Sequence, residues 1–218
     1  MQQQSLKQRL HRVENLNFEA VQAPLTADAD QLAKIAKAGT ADIFSIDAQH
    51  APYDEESLVS FCAAAAQVDV PVQLRIKHTR HAFLIGNYLD LGPMAIMVPQ
   101  VETEQTVDEA IDAFYYPPIG KRSWGPLWGY KYDDTRERLE YAQWWNETGI
   151  LVIQLESIDA VSNARHLAKP GVDMVAFGAN DLNFSIEAYP NHPFDSVESC
   201  MSHVEKQLAG TQVKVQGR

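Results

Sequence analysis

"DIFSIDAQHAP", residues 42–52, opens apolar and closes polar. Ile43, Phe44 and Ile46 read as a buried strand, and Asp47, Gln49 and His50 follow at once, before Ala51-Pro52. A core strand that ends on a carboxylate, an amide and an imidazole asks what those groups act on. The answer depends on whether other strands end in the same way.

They do. Short β-rich runs alternate with helical patterns along the chain, the signature of βα units and a parallel sheet. Strands are predicted at 18–24, 41–47, 70–76, 94–100, 149–157, 172–181 and 211–217. Helices are predicted at 27–39, 54–68, 81–92, 102–116, 133–147, 157–171 and 194–210. Residues 117–130, rich in Pro, Gly and Trp, read as an ordered loop. There is no internal repeat and no domain boundary, so residues 1–218 form one α/β domain. Strand 2 ends on Asp47, Gln49 and His50, and strand 3 carries Arg75. Strand 4 ends on Pro99-Gln100, strand 5 on Gln154 and Glu156, and strand 6 on Asn180 and Asp181. Parallel α/β folds gather strand C-termini on one face, where active sites lie. Repeated polar endings therefore predict one shared site.

Bulk composition narrows the partners. The chain has 218 residues, 45% of them hydrophobic, enough for one packed core or a single barrel. Its 29 acidic and 18 basic residues give a net charge of −11, which disfavours nucleic acid and anionic membranes. No apolar run approaches membrane-spanning length and the N-terminus has no apolar leader core, so a cytoplasmic setting is expected. Cys62 and Cys200, the only cysteines, make neither a disulfide framework nor a zinc site. Cys62, in "FCAAAAQV", reads as a small buried hydrophobe.

The residue types define a chemistry. Glu156 and Asp181, on neighbouring predicted strands, suit a hard divalent ion such as Mg2+ or Mn2+ better than zinc. Such an ion keeps positions open for the carboxylate and keto oxygens of a 2-oxo acid. Arg75 would meet negative charge on that ligand or on its enolate in two-pronged geometry. Asp47 and His50 pair a carboxylate with a titratable imidazole, the pattern of a general acid/base. Together these parts describe metal-assisted enolisation. Each has a plainer reading: Asp181 as a helix cap, Arg75 as a structural ion pair, His50 as a satisfied loop histidine. "KHTRH" (77–81) reads as a solvated helix start, and Trp124 and Trp128 as packing within the loop or at a subunit contact.

At these positions the sequence resembles the HpcH/HpaI family, the class II metal-dependent pyruvate aldolases of the citrate-lyase-like superfamily. The family's D-x-E-H-[AG] is met by "DAQHA", its strand 3 arginine by "QLRI", and its strand 4 "VP" by "IMVPQV" (96–101). Y-P-P-x-G-x-R is met in full by "YPPIGKR" (116–122). Q-x-E-[ST] is met by "QLES" (154–157), and G-x-x-D-L-x-x-S by "GANDLNFS" (178–185). The resemblance implies a TIM-type (β/α)8 barrel, a homo-oligomer (hexamer or trimer), and cleavage or formation of 4-hydroxy-2-oxo acids from pyruvate and an aldehyde. By motif, Glu156 and Asp181 would hold Mg2+ (or Mn2+ or Co2+), and Arg75 would stabilise pyruvate enolate. Asp47 with His50 would form the acid/base dyad, Gln154 would contact pyruvate, and Ala179–Asn180 would lie along its carboxylate.

The sequence departs from the pattern twice. Gln49 stands where the family has an acidic residue, which removes a negative charge beside the proton-transfer groups. Seven strands are counted rather than eight, so the barrel is expected to be shortened at its C-terminus. Two other readings stay open. One is an oxaloacetate decarboxylase or another enolate-forming lyase or synthase, suggested by Gln49 and the two loop tryptophans. The other is a non-catalytic shortened barrel acting as a binding subunit.

Overall fold

The computed structural model describes residues 5–12, 18–39, 41–125 and 137–216. Its centre is one seven-stranded sheet, all parallel, with the strands in sequence order: β1 (Ala20–Gln22), β2 (Ile43–Asp47), β3 (Val72–Arg75), β4 (Ala95–Val98), β5 (Ile150–Leu155), β6 (Met174–Phe177) and β7 (Lys214–Val215). The sheet curls. Ile43, Ala95, Met97, Ile150, Val152, Met174 and Ala176 come from four strands yet form one buried cluster on its concave side. On the convex side a larger core packs the sheet against the helices. Strands covered on both faces explain the nearly continuous apolar runs, such as "ILVIQL" in β5.

The α/β barrel architecture and the seven strands expected from the sequence are present. Among the described residues β7 pairs only with β6 and β1 only with β2. These edge strands are shorter than predicted, because each has a ladder on one side only.

Local chemistry sets the helix ends. Asp28 caps α2 (Ala29–Ala38), accepting from Gln31 N at 2.8 Å, and Asp54 caps α3 (Glu55–Gln67), accepting from Ser57 N at 2.8 Å. The helix predicted at 81–92 divides into a 3-10 turn (Thr79–Leu84) and α4 (Ile85–Asp90). His78 caps the turn through Nδ1, which accepts from Arg80 N at 3.0 Å, so "KHTRH" is a helix start as read. α5 spans Glu104–Phe114, and α6 spans Arg138–Thr148. The start of the helix predicted at 133–147, and Trp128, lie outside the described residues. The helix predicted at 157–171 breaks at Asn163 into α7 (Ile158–Ser162) and α8 (Ala164–Leu167). α10 (Val197–Leu208) precedes β7.

One boundary is corrected. The strand predicted at 172–181 stops at Phe177, and α9 (Ala179–Ala188) begins after Gly178, whose carbonyl accepts Leu182 N at 2.9 Å. Asn180 and Asp181 therefore lie in the first turn of a helix rather than at a strand end.

α1 (Leu6–Arg12), which closes the N-terminal end of the curl, was not expected from the sequence. Its Leu10 joins the concave cluster at 2% exposure. Lys7 Nζ donates to Tyr115 Oη and Gly149 O at 2.9 Å each and lies 3.1 Å from Asp173 Oδ2. His11 Nε2 is 2.8 Å from Asp173 Oδ1. Lys7→Met keeps the apolar stem but leaves the buried Asp173 short of a cation. The expected loss is about 2 kcal/mol, read from urea unfolding; an unchanged midpoint would show that α1 is not anchored through this ammonium.

Candidate active site

The concave side changes character along its length. Above the apolar cluster, Gln73 Nε2 donates to Ser45 Oγ at 3.4 Å across β2 and β3. Above that pair, Asp47 and Arg75 stand opposite each other as register partners at the strand ends. Arg75 Nε donates to Asp47 Oδ1 at 2.9 Å, and Nη2 donates to Oδ2 in a second, shorter bond, giving a forked pair. Arg75 Nη1 reaches Gln154 Oε1 at 3.4 Å. Asp47 Oδ1 also accepts the backbone N–H groups of Gln49 (2.9 Å) and His50 (3.3 Å). Burial alone would raise the Asp47 carboxyl. The hydrogen bonds and charge of Arg75, together with the two backbone N–H groups, outweigh it and hold the group below the usual carboxylate range.

Asp47 is thus an ionised group committed mainly to Arg75. Its contact with His50 runs through the His50 backbone N–H, while His50 itself is exposed. Gln49 is half-buried, and its side-chain Oε1 is buried without a hydrogen-bond partner among the described residues.

Glu156, one residue past β5, is 6% exposed. Its Oε2 accepts Gln100 N at 2.9 Å, and its Oε1 is buried with no partner among the described residues. Burial and then the charge of Asp181 push its carboxyl up, against the Gln100 hydrogen bond and the charges of Arg75 and His50. Those couplings put Glu156, Asp181, Arg75 and His50 in one electrostatic neighbourhood. Gln154, also 6% exposed, lies between Arg75 and Glu156 along β5. Asp181 is exposed in the first turn of α9, with Ala179 and Asn180 beside it.

The structure therefore gathers Asp47, His50, Arg75, Gln154, Glu156 and Asp181 at one end of the curl. Reasoning from the sequence missed two backbone participants, Gln100 N–H and Gly178. A Cβ on Gly178 would lie 2.2 Å from Glu156 Oε1, so only glycine leaves room for that carboxylate. The family-type "GAND" run contains this glycine, but nothing in the sequence shows what it accommodates.

An ionised, buried oxygen with no donor is costly in a closed core. The donor set fits a hard cation that would satisfy Oε1. Among the described residues no group of three or more His, Cys, Asp and Glu side chains converges. A cation here would have two carboxylates and draw its remaining ligands from water or substrate, as Mg2+ does.

A sizeable cavity lies elsewhere. A groove of about 820 Å3 opens between α2 and α3, lined by Asp28, Asp54, Ser57 and Phe61 among others. Its Asp28 and Asp54 already serve as helix caps, and it holds none of the groups above. Chemistry, rather than volume, locates the site. Trp124 packs against the rings of Tyr116 and Tyr141 (centroids 5.6 and 5.1 Å). Cys62 and Cys200 are buried free thiols, pushed up by burial to about 12 and about 11, so both are inert packing residues. No helix among the described residues is long and apolar enough to cross a membrane.

The chain as a whole has known relatives. The family model described as HpcH/HpaI aldolase/citrate lyase matches residues 6–215. The chain belongs to that family. A 2-keto-3-deoxy-L-rhamnonate aldolase of Klebsiella pneumoniae subsp. pneumoniae is 32% identical over 181 residues, which are 78% of this chain and 64% of that enzyme. The chain thus spans somewhat less than two thirds of that relative's length. An HpcH/HpaI aldolase from Desulfitobacterium hafniense DCB-2 shares the fold, with a TM-score of 0.81 at 24% identity over 98% of this chain and 81% of that one. The citrate synthase SbnG superposes with a TM-score of 0.79 at 25% identity, over 98% of this chain and 81% of that one.

Proposed function

We propose that the protein is a divalent-cation-dependent carbon–carbon lyase, an aldolase that cleaves or forms 4-hydroxy-2-oxo acids through a pyruvate enolate. One observation carries the reading. A forked, strand-mounted guanidinium that reaches the Gln154 amide, and a glutamate oxygen buried without a donor among the described residues, stand at the same end of the curl. In this reading Glu156 and Asp181 hold Mg2+, Mn2+ or Co2+. The bound cation supplies Lewis acidity at the keto oxygen of a 2-oxo acid.

The chain's own residues supply the rest. Arg75, fixed by Asp47, keeps its Nη1 edge toward Gln154 and stabilises negative charge on the enolate. Gln154 orients the bound oxo acid, with the backbone at Ala179–Asn180 along its carboxylate. The His50 ring, at the exposed rim, moves the proton between solvent and the reacting hydroxyl, and Asp47 holds the His50 backbone in place. Gln49 contributes an amide without charge beside this proton path.

The test is pyruvate release from 2-keto-3-deoxy-L-rhamnonate and simpler 4-hydroxy-2-oxo acids, followed through a coupled reductase. Activity abolished by EDTA and restored by Mg2+ or Mn2+ is expected; full activity without metal sinks the reading. The resemblance to the citrate synthase SbnG and the unpartnered Gln49 oxygen favour a second reading, in which the enolate forms by decarboxylation of oxaloacetate or meets another electrophile. Pyruvate from oxaloacetate in the absence of any aldehyde distinguishes it. Cation binding with no turnover on any 2-oxo acid points instead to a non-catalytic binding subunit. The same family reading carries a homo-oligomer, a trimer or hexamer, to be measured by light scattering.

Cation binding should also depend on pH in a stated direction. Burial and Asp181 raise the Glu156 carboxyl, and only the ionised form ligates. Apparent Mn2+ affinity should therefore fall on acidification while pH is still above the ordinary glutamate value of 4.5. Affinity flat down to that pH contradicts the arrangement.

A further inference from the structure

Gln100 follows Val98-Pro99 at the end of β4 with a φ of 51°, in the left-handed region that a residue with a Cβ occupies only at a cost. Its side chain is exposed and does not account for that cost. Its backbone does. Gln100 N donates to Glu156 Oε2 at 2.9 Å, and the next residue, Val101 N, donates to Gln154 O at 3.1 Å. The turn thus lies across the end of β5 and grips both its polar residues. On the opposite flank, Glu156 fills the space a Gly178 side chain would need, with Oε1, Cγ and Cδ all within 2.7 Å of the position of an added Cβ.

We propose that Gln100 is a positioning residue for the Glu156 carboxylate. Its left-handed backbone fixes Oε2, Gly178's bare backbone leaves room for Oε1, and Oε1 is the oxygen offered to a divalent cation. The orphaned state of Oε1 and the strain at Gln100 then have one cause: both are features of a carboxylate held in place before a cation arrives. The inference rests on the cation reading above, and its test separates the two.

Mn2+ binding is measured by electron paramagnetic resonance of the free ion, without substrate, alongside thermal melting and circular dichroism. Gln100→Gly keeps the N–H and relieves the strain, so it should bind Mn2+ within about twofold of wild type and melt higher. Gln100→Val favours an extended backbone that withdraws the N–H, and Gly178→Ala drives a Cβ into Oε1. Each should weaken Mn2+ binding at least about tenfold with the fold intact. In a Glu156→Gln background, Gln100→Val should have no further effect on Mn2+ binding, because its action runs through that carboxylate. A folded Gln100→Val protein that binds Mn2+ like wild type overturns the positioning role, as does an equal loss in the Glu156→Gln background. If Gln100→Val does not fold, Gly178→Ala decides in the same way. A wild-type protein that binds no Mn2+ overturns the cation reading itself, an outcome distinct from failure of the clamp alone.

Discussion

Arg75→Ala is expected to lower kcat/KM on a 4-hydroxy-2-oxo acid at least about a thousandfold, roughly 4 kcal/mol of transition-state stabilisation. The size follows from geometry. Arg75 enters from the end of β3, is held by both oxygens of Asp47, and keeps one edge at Gln154. On the proposed mechanism it is preorganised for charge that appears only as the enolate forms, so most of the loss should fall on kcat rather than KM. Lys at this position keeps the charge but not the fork, and should recover little. Steady-state kinetics on the purified variants decide the matter; a drop of less than about tenfold would remove Arg75 from the chemistry.

Asp47→Ala should act on the fold as well as on turnover. It leaves the Arg75 guanidinium, 17% exposed in its side chain, without its carboxylate, and it strips the acceptor from two backbone N–H groups in the loop to His50. Breaking a largely buried pair from one side costs about 3 kcal/mol, to be read from urea denaturation at neutral pH. The sign with pH is fixed by the lowered Asp47 carboxyl. Its contribution is complete above the unfolded carboxylate value and is lost as pH falls through the still lower folded value. The gap between wild type and Asp47→Ala should therefore narrow only in strong acid. A gap that is constant from neutral pH to strong acid would mean the pair does not stabilise the fold.

Much of this was legible in the sequence, for a physical reason. β2 to β5 are covered on both faces, so their apolar runs stand out, and the polar residue after each run marks the C-terminal end. Arg75, Gln154 and Glu156 were found in this way. Asp181 was assigned to the wrong element, though it does lie beside Glu156. Gly178 ends β6 early, and a small-residue run "GAN" carries no periodicity by which to tell a strand end from a first helical turn. α1 was missed because "LKQRLHR" buries one leucine only. The hold on Glu156 was beyond reach, since it is made by a backbone N–H at a left-handed residue and by the absence of a side chain at Gly178. The exchange of Asp47 between a histidine ring and an arginine was likewise invisible, because both partners lie within a short reach of the same strand end.

The strand order has a consequence for how the chain reaches this state. Every strand pairs with the one before it in the sequence, and among the described residues no ladder joins the first to the last. Among the described strands each ladder joins sequence neighbours, so none of these pairings needs closure across the whole chain, the step whose loop entropy slows many parallel folds. Each new strand can add to a finished edge, in the order in which a ribosome delivers it. The widest step is from Ala95 to its register partner Ile150, with α5 and α6 between them. Docking of β5 is therefore the natural bottleneck. It is also the event that first brings Gln154 and Glu156 up to Arg75, so the site and the slowest part of the fold form together.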